Sequence, residues 1–310
     1  MPVDAVLVAG PTASGKSAAA IGLADRLNGA LINTDSMQVY REARILTARP
    51  DENDLSRAPH HLYGHVSVHE SYSAARYLLD VLAAIDEVRQ RGMLPIFVGG
   101  TGLYFGALTE GLADIPSVPQ SIRAKQRTRH AELGKEAFFA EFAARDPQTA
   151  ARLRASDTQR VLRASEVFEA TGRPLSEWQR THGPAPLAEM KLTRFVLSPP
   201  RAELHRRIDQ RFDQMIAAGA MNEVALLGDI DPALPSAKIL GLRDLRRVRD
   251  GNSTLEEAKS AAKAATRQYA KRQVTWFRHR MADWTWMKSE DTNEIVAQML
   301  AAIRELQARA

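Results

Sequence analysis

Residues 10–17 read Gly10-Pro11-Thr12-Ala13-Ser14-Gly15-Lys16-Ser17, a match to G-x-x-x-x-G-K-[ST] without a gap. A loop of this kind turns its backbone N–H groups inward on a phosphate. Lys16 adds a point charge, and Ser17 offers a hydroxyl to a magnesium ion. The pattern fixes few residue types, so its context has to carry the reading. Here an apolar run, Ala5-Val6-Leu7-Val8-Ala9, precedes it, and a helix-forming run begins at Ser17. That is the strand–loop–helix setting the motif requires. The chain therefore grips a di- or triphosphate, and the loop alone does not say which. Asp35 stands just beyond a second apolar run, Leu31-Ile32-Asn33. A carboxylate there faces the loop across the strand ends and could take a proton from an attacking nucleophile. An Asp-Ser pair is equally at home as a turn or helix cap. The run Pro95-Ile96-Phe97-Val98 ends in Gly99-Gly100-Thr101-Gly102. Motor ATPases place a magnesium-binding aspartate at such a strand end. Its absence fits a small-molecule kinase or a transferase with a diphosphate leaving group. Thr101 could donate to a phosphate oxygen, or the segment could be a plain strand-to-helix turn.

Strand and helix signals alternate through the first 110 or so residues, which implies a parallel sheet with ligands at the carboxyl ends of its strands. Strand 3–9, helix 16–27, strand 31–33, helix 73–91 and strand 95–98 are expected, the second helix from apolar residues at helical spacing. Pro116 and Pro119 mark one break, and Pro184 and Pro186 another. Between them no strand signal occurs, only short helical patterns. Phe195-Val196-Leu197 then reads as a strand. Helices follow at about 201–218, 220–228, 241–248, 254–281 and 291–308, with a last short strand at Trp284-Thr285-Trp286. The expected fold class is α/β: a P-loop NTPase-like parallel sheet flanked by helices, with a helical insertion domain. Residues 1–114 and 186–310 form the core and 115–185 the insertion.

The 310 residues, 45% of them hydrophobic, suffice for one large or two modest domains. No apolar run is long enough to span a membrane, and the N-terminus opens on a strand pattern instead of a leader. The expectation is a soluble, cytoplasmic, monomeric protein. With no cysteines, disulfides, thiolate zinc sites and cysteine nucleophiles are excluded. His60 and His61 have no third ligand at a metal spacing, so they read as structural or substrate-lining.

The net charge is +5. Residues 254–280 alone hold Lys259, Lys263, Arg267, Lys271, Arg272, Arg278 and Arg280 against Glu256 and Glu257, with Tyr269, Trp276 and Phe277 interleaved. Cations with aromatics suit RNA, through phosphate contacts and base stacking. Solvated helix faces with Trp276 and Phe277 in the core would give the same pattern. Two further basic groups, Arg123/Lys125/Arg127/Arg129 and Arg152/Arg154/Arg160/Arg163, lie in the insertion. On the helix at 201–218, Arg207 and Arg211 lie one turn apart, either covering a bound phosphate or facing solvent.

Taken together, GPTASGKS (10–17), INTDSMQVYR (32–41), PHHL (59–62), YSAARY (72–77), PIFVGGTGLYF (95–105), DTQRVLRASEVFEATGRPLSEW (157–178), RRIDQRFDQMIAAG (206–219), KILGLRDL (238–245) and TRQYAKRQVTWFR (266–278) resemble the bacterial tRNA dimethylallyltransferases, also called tRNA isopentenyltransferases. The resemblance implies transfer of a dimethylallyl group from dimethylallyl diphosphate to the exocyclic N6 amine of the adenosine just 3′ of the anticodon. The tRNAs would be those reading codons that begin with U. Residues 10–17 and Arg211 would hold the diphosphate, with magnesium on Ser17. Asp35 matches the general base, and Thr101 the residue beside the bridging oxygen. Asp35, Ser36, Met37, Gln38, Thr101, Arg123, Gln159, Arg160, Val161, Leu162 and Arg163 match tRNA-contacting positions. Lys238, Gly241, Arg243, Arg267, Lys271 and Arg272 fall in segments that resemble others lining the RNA, the anticodon stem-loop being the partner.

The family usually reads close to IGTAKP where this chain has Ile45-Leu46-Thr47-Ala48-Arg49-Pro50, and an acidic Ile-Asp-Ile type segment where it has Tyr63-Gly64-His65. Two other classes share parts of the pattern. A P-loop small-molecule kinase needs the ATP-binding loop, the sheet and Asp35 but no basic aromatic helix. A non-catalytic RNA-binding NTPase needs both but not Asp35.

Overall fold

The computed structural model describes residues 3–308. The described chain divides into two compact units, one of Met1–Leu108 with Glu189–Ala310 and one of Thr109–Ala188.

The first unit is built on a six-stranded parallel sheet in the order β3-β2-β4-β1-β5-β6. Its strands are β1 (Ala5–Ala9), β2 (Gly29–Asn33), β3 (His60–His61), β4 (Leu94–Gly99), β5 (Leu192–Leu197) and β6 (Thr285–Met287). Around it lie α1 (Lys16–Leu27), α2 (Glu52–Arg57), α3 (Ala74–Gln90) and α4 (Gly102–Glu110). Four further helices, α5–α8, belong to the second unit. After β5 come α9 (Arg201–Ala217), α10 (Ala220–Leu226), a 3₁₀ turn at Pro235–Lys238, α11 (Leu242–Arg249), α12 (Leu255–Arg280) and α13 (Thr292–Ala308). β1, β2 and β4 are buried throughout, which is why they read as continuous apolar runs and not as alternations. Val6, Val8, Leu31, Ile96, Val98, Phe195 and Leu197 pack with the small-residue face of α1 and with Ile295, Val296 and Met299 of α13.

The helix starts have local causes. Ser73 caps α3 by accepting the Arg76 N–H, and Thr254 with Glu257 forms a capping box on α12. α2 and β3 were not expected from the sequence. β3 has only two residues, and α2 buries none of its own, so neither leaves a periodic apolar signal. The last strand falls on Thr285–Met287, one residue later than Trp284-Thr285-Trp286 suggested.

The second unit contains α5 (Gln120–Arg145), α6 (Pro147–Ala150), α7 (Thr158–Thr171) and α8 (Leu175–Trp178). It holds a core of its own formed by Val118, Phe138, Phe142, Val161, Ala164, Val167 and Leu175. α5 is broken at Gly134, whose φ of 77° lies outside the helical region. Among the described residues no helix is long and apolar enough to cross a membrane.

Candidate active site

The P-loop spans β1 to α1. Gly15 takes φ 87° as it turns the chain into the helix, a left-handed conformation that costs a side-chain-bearing residue free energy. Lys16 is only 8% exposed, and its Nζ donates to the Pro11 carbonyl at 3.3 Å. Burial lowers its pKa from 10.5 to about 8. Asp35 opposes that shift, and the Arg211 charge adds to it. The Ser14 hydroxyl is buried without a hydrogen-bond partner. A buried hydroxyl with no partner beside a buried ammonium held only by one carbonyl is a donor set that suits an anion. A cavity of about 370 Å³ opens here, lined by Ala13–Ala18, Ala48, Arg207, Gln210, Arg211 and Gln214.

Asp35 follows β2, and three bonds fix its turn. Its N–H donates to Asn33 Oδ1 at 2.9 Å, its Oδ1 accepts the Met37 N–H at 2.9 Å, and the Ser36 N–H donates to Thr101 Oγ1 at 2.9 Å. Asn33 in turn donates to the Asp35 and Leu62 carbonyls. The second carboxylate oxygen, Oδ2, has no hydrogen-bond partner among the described residues. The Thr101 hydroxyl donates to Ser36 Oγ at 3.2 Å. Both of its contacts with Ser36 tie the start of α4 to the Asp35 turn. Gly99 lets the β4 end lie against β2: a Cβ there would stand 2.1 Å from the Thr34 carbonyl.

A second, smaller cavity of about 50 Å³ adjoins Asp35. Thr12, Asp35, Met37, Leu46, Thr47, Ile208, Arg211, Phe212, Met215, Ile239, Leu240, Thr266 and Tyr269 line it. Most of these are apolar. Arg211 belongs to the wall of both cavities and donates to the Thr12 hydroxyl. Burial lowers its pKa against the pull of Asp35. Burial, reinforced by Asp35, raises the phenols of Tyr63 and Tyr269, so both stay protonated.

Gln273 is the positioning residue that reading the sequence missed. On α12 and 6% exposed, it accepts the Thr12 N–H at 2.9 Å and donates to the Gly100 carbonyl at 2.8 Å. It ties the P-loop to the end of β4. Its signal is its place in the buried stripe Ala262, Thr266, Ala270, Gln273, Phe277: a polar side chain in an apolar register.

The remaining site candidates divide by exposure. Arg207 pairs with Glu203 at 2.5 Å and donates to the Glu290 carbonyl. Lys259 and Lys263 pair with Asp213, and Arg267 with Asp209, so much of the charge on α12 is balanced by α9. Lys238, Arg243, Lys271 and Arg272 are exposed. Gly241 is buried at φ 81° beside Phe212, so it offers backbone only. Phe277 is core at 1% exposure, and a Cβ on Gly102 would meet the Trp276 ring at 2.3 Å. Phe277 is thus core, while half-buried Trp276 packs against Gly102. The side chain of Gln38 donates to the Thr47 and Ala48 carbonyls. His60 and His61 line neither cavity: His60 faces the Ala58 carbonyl and His61 pairs with Glu87 at 3.5 Å.

In the second unit Gln159 and Arg160 are exposed, while Val161 is core at 1% and Leu162 packs beside it. Arg123 and Arg163 are half-buried. Arg123 Nε lacks a partner, and burial lowers the Arg163 pKa.

Among the described residues no three His, Cys, Asp or Glu side chains cluster to hold a metal. Ser17, half-buried, brings a hydroxyl to the larger cavity, which Ser14, Gln210 and Gln214 also line. A single hydroxyl suits magnesium, which takes most of its ligands from phosphate oxygens and water.

The IPP transferase family model matches residues 38–280. The chain is 51% identical to the tRNA dimethylallyltransferase of Bradyrhizobium sp. (strain BTAi1), over 94% of this chain and 97% of that one. It is 49% identical to that of Parvibaculum lavamentivorans, over 97% and 96%. Among solved structures it is similar to the full-length tRNA isopentenylpyrophosphate transferase of Bacillus halodurans, with TM-score 0.70, 33% identity and coverage of 98% and 97%. A eukaryotic dimethylallyltransferase acting on tRNA gives TM-score 0.78 at 28% identity, covering 93% of this chain and 74% of that one.

Proposed function

This chain belongs to the IPP transferase family of tRNA dimethylallyltransferases, a family of prenyltransferases, and we propose that it moves a dimethylallyl group from dimethylallyl diphosphate to the N6 amine of the adenosine 3′ of the anticodon. The observation that carries the reading is the sharing of Arg211 between the two cavities. A ligand with a polyanionic head and a short apolar tail would put the head in the P-loop cradle and the tail beside Asp35.

The residues then take distinct roles. The P-loop amides, Lys16, Ser14 and Arg211 bind the diphosphate and neutralise the charge that grows on it as the allylic C–O bond breaks. Magnesium on Ser17 would supply further charge neutralisation. The bonding electrons leave with the diphosphate. The adenine nitrogen forms the new C–N bond, and its proton passes to Asp35 Oδ2, the oxygen its own turn leaves unused. An aromatic amine is a weak nucleophile, so a placed base matters. The apolar wall keeps water from the electron-poor allylic carbon. The target base leaves its stack to reach this depth. Exposed Gln159 and Arg160 with half-buried Arg123 and Arg163 in the helical unit, and Lys238, Arg243, Lys271 and Arg272 in the sheet unit, are the candidate contacts to the anticodon stem-loop. The missing acid at the end of β4 accords with a diphosphate that departs.

The test mixes the protein with dimethylallyl diphosphate, magnesium and unmodified tRNA. The expected result is one prenyl mass on the tRNA for each diphosphate released. ATP turnover without RNA, and no prenylated product, would sink the reading in favour of a kinase.

A further inference from the structure

Residues 41–50 lack helix and strand, yet the segment is held from several sides. Glu223 of α10 is 8% exposed, and both its carboxylate oxygens are used. Oε2 accepts the Ile45 N–H at 2.6 Å, and Oε1 accepts the Leu46 N–H at 2.8 Å. Gln38 ties down the next two carbonyls, those of Thr47 and Ala48, and the Thr47 hydroxyl donates to the Ala43 carbonyl. Burying a carboxylate is costly unless donors meet it. Here it is spent on two consecutive amides of an otherwise irregular segment.

The clamp fixes the Leu46 side chain, which is 5% exposed and lies in the wall of the small cavity with Asp35 and Arg211. Leu46 and Thr47 are the segment's contribution to that wall. The others come from α9, α12, the P-loop, the Asp35 turn and residues 239–240. The Leu46 side chain carries four carbons, close to the five of one isoprene unit.

We propose that Leu46, clamped by Glu223, sets the length of the prenyl chain the enzyme accepts and restricts the donor to one isoprene unit. The inference rests on the proposed function. Glu223 is a positioning residue, acting through the backbone of Leu46.

The experiment compares kcat/KM for dimethylallyl diphosphate and geranyl diphosphate with unmodified tRNA. Wild type, Leu46→Ala, Leu46→Phe and Glu223→Gln are each checked for an unchanged melting transition. Failure of wild type to transfer from either donor refutes the proposed function, whatever the variants do. With wild type active, Leu46→Ala should raise the geranyl-to-dimethylallyl ratio by about tenfold or more, the scale on which apolar pockets discriminate carbon count. Leu46→Phe should raise the KM for dimethylallyl diphosphate by about tenfold. Glu223→Gln keeps one acceptor but opposes an N–H with an amide NH₂, so it should shift the ratio in the direction of Leu46→Ala. An unchanged ratio in Leu46→Ala overturns the gate, and an unchanged ratio in Glu223→Gln overturns the clamp.

Discussion

Replacing Lys16 with Met should stabilise the free protein while abolishing diphosphate binding. Burial brings the Lys16 pKa from 10.5 to about 8. At about 1.4 kcal/mol per pH unit, holding its charge in the folded chain costs roughly 3 kcal/mol. Below pH 8 both folded and unfolded chains are protonated, and the full cost is present. Between about 8 and 10.5 the unfolded chain binds more protons than the folded one, so stability rises with pH and the cost fades. Methionine fills similar space without charge. It forfeits the hydrogen bond to the Pro11 carbonyl, worth about 1 kcal/mol. The net gain at pH 7 is about 2 kcal/mol, which for a unit of this size raises the transition by roughly 4–8 °C. Calorimetry across pH 7–10.5, with and without diphosphate, measures it. The variant should melt higher at pH 7, the gap should close towards pH 10.5, and only wild type should gain stability from diphosphate. A variant that melts lower at pH 7, or a gap indifferent to pH, would refute the argument that Lys16 is held charged at the folded state's expense.

Asp35→Asn should retain RNA binding but lose roughly 10²–10⁴-fold in transfer rate, measured in single-turnover assays; transfer near the wild-type rate removes Asp35 as the base. Gln273→Leu strands the Thr12 N–H and the Gly100 carbonyl, at about 1–3 kcal/mol each. It should raise the KM for the diphosphate donor while leaving tRNA affinity by filter binding unchanged. Gly99→Ala forces a Cβ to within 2.1 Å of the Thr34 carbonyl, and should cost activity through displacement of the Asp35 turn even where the variant still melts cooperatively. Arg163→Ala, in the helical unit, should weaken tRNA binding with a shallower salt dependence and leave kcat for bound tRNA near wild type.

Much of the architecture could be read before the structure, for a physical reason. The central strands are buried on both faces and α3 on one, so β1, β4 and α3 declare themselves by uninterrupted or helically spaced apolar residues. β3 and α2 do not, because two bridging residues and a fully surface helix leave no periodicity. The P-loop was legible because backbone geometry demands its glycines. The roles of Thr101, Trp276 and Phe277 were not, because residue type leaves open whether a hydroxyl faces a ligand or a neighbouring turn, and whether an aromatic faces RNA or the core. Charge was the least reliable guide. Lys259, Lys263 and Arg267 look like an RNA-binding stripe in one dimension, but Asp209 and Asp213 of α9 already meet them.

The residues that position the site share one trait. Gln273 sits in the buried stripe of α12, and Glu223 sits beside Ala220 and Val224 on the buried side of α10. A polar group in an apolar register must be matched by donors or acceptors, since an unmatched one costs more than an apolar replacement. In both cases the match is main chain: Thr12 and Gly100 for Gln273, Ile45 and Leu46 for Glu223. Main-chain partners are invisible to residue identity, which is why these contacts escape a reading of sequence. They are also what irregular segments offer, and the P-loop, the Asp35 turn and residues 41–50 are irregular segments that contribute to the walls of the two cavities. A regular helix can therefore fix a loop's backbone to within hydrogen-bond tolerance with one side chain. In this chain two such fixtures serve the two cavities, Gln273 tying down the P-loop and Glu223 the segment that carries Leu46 and Thr47.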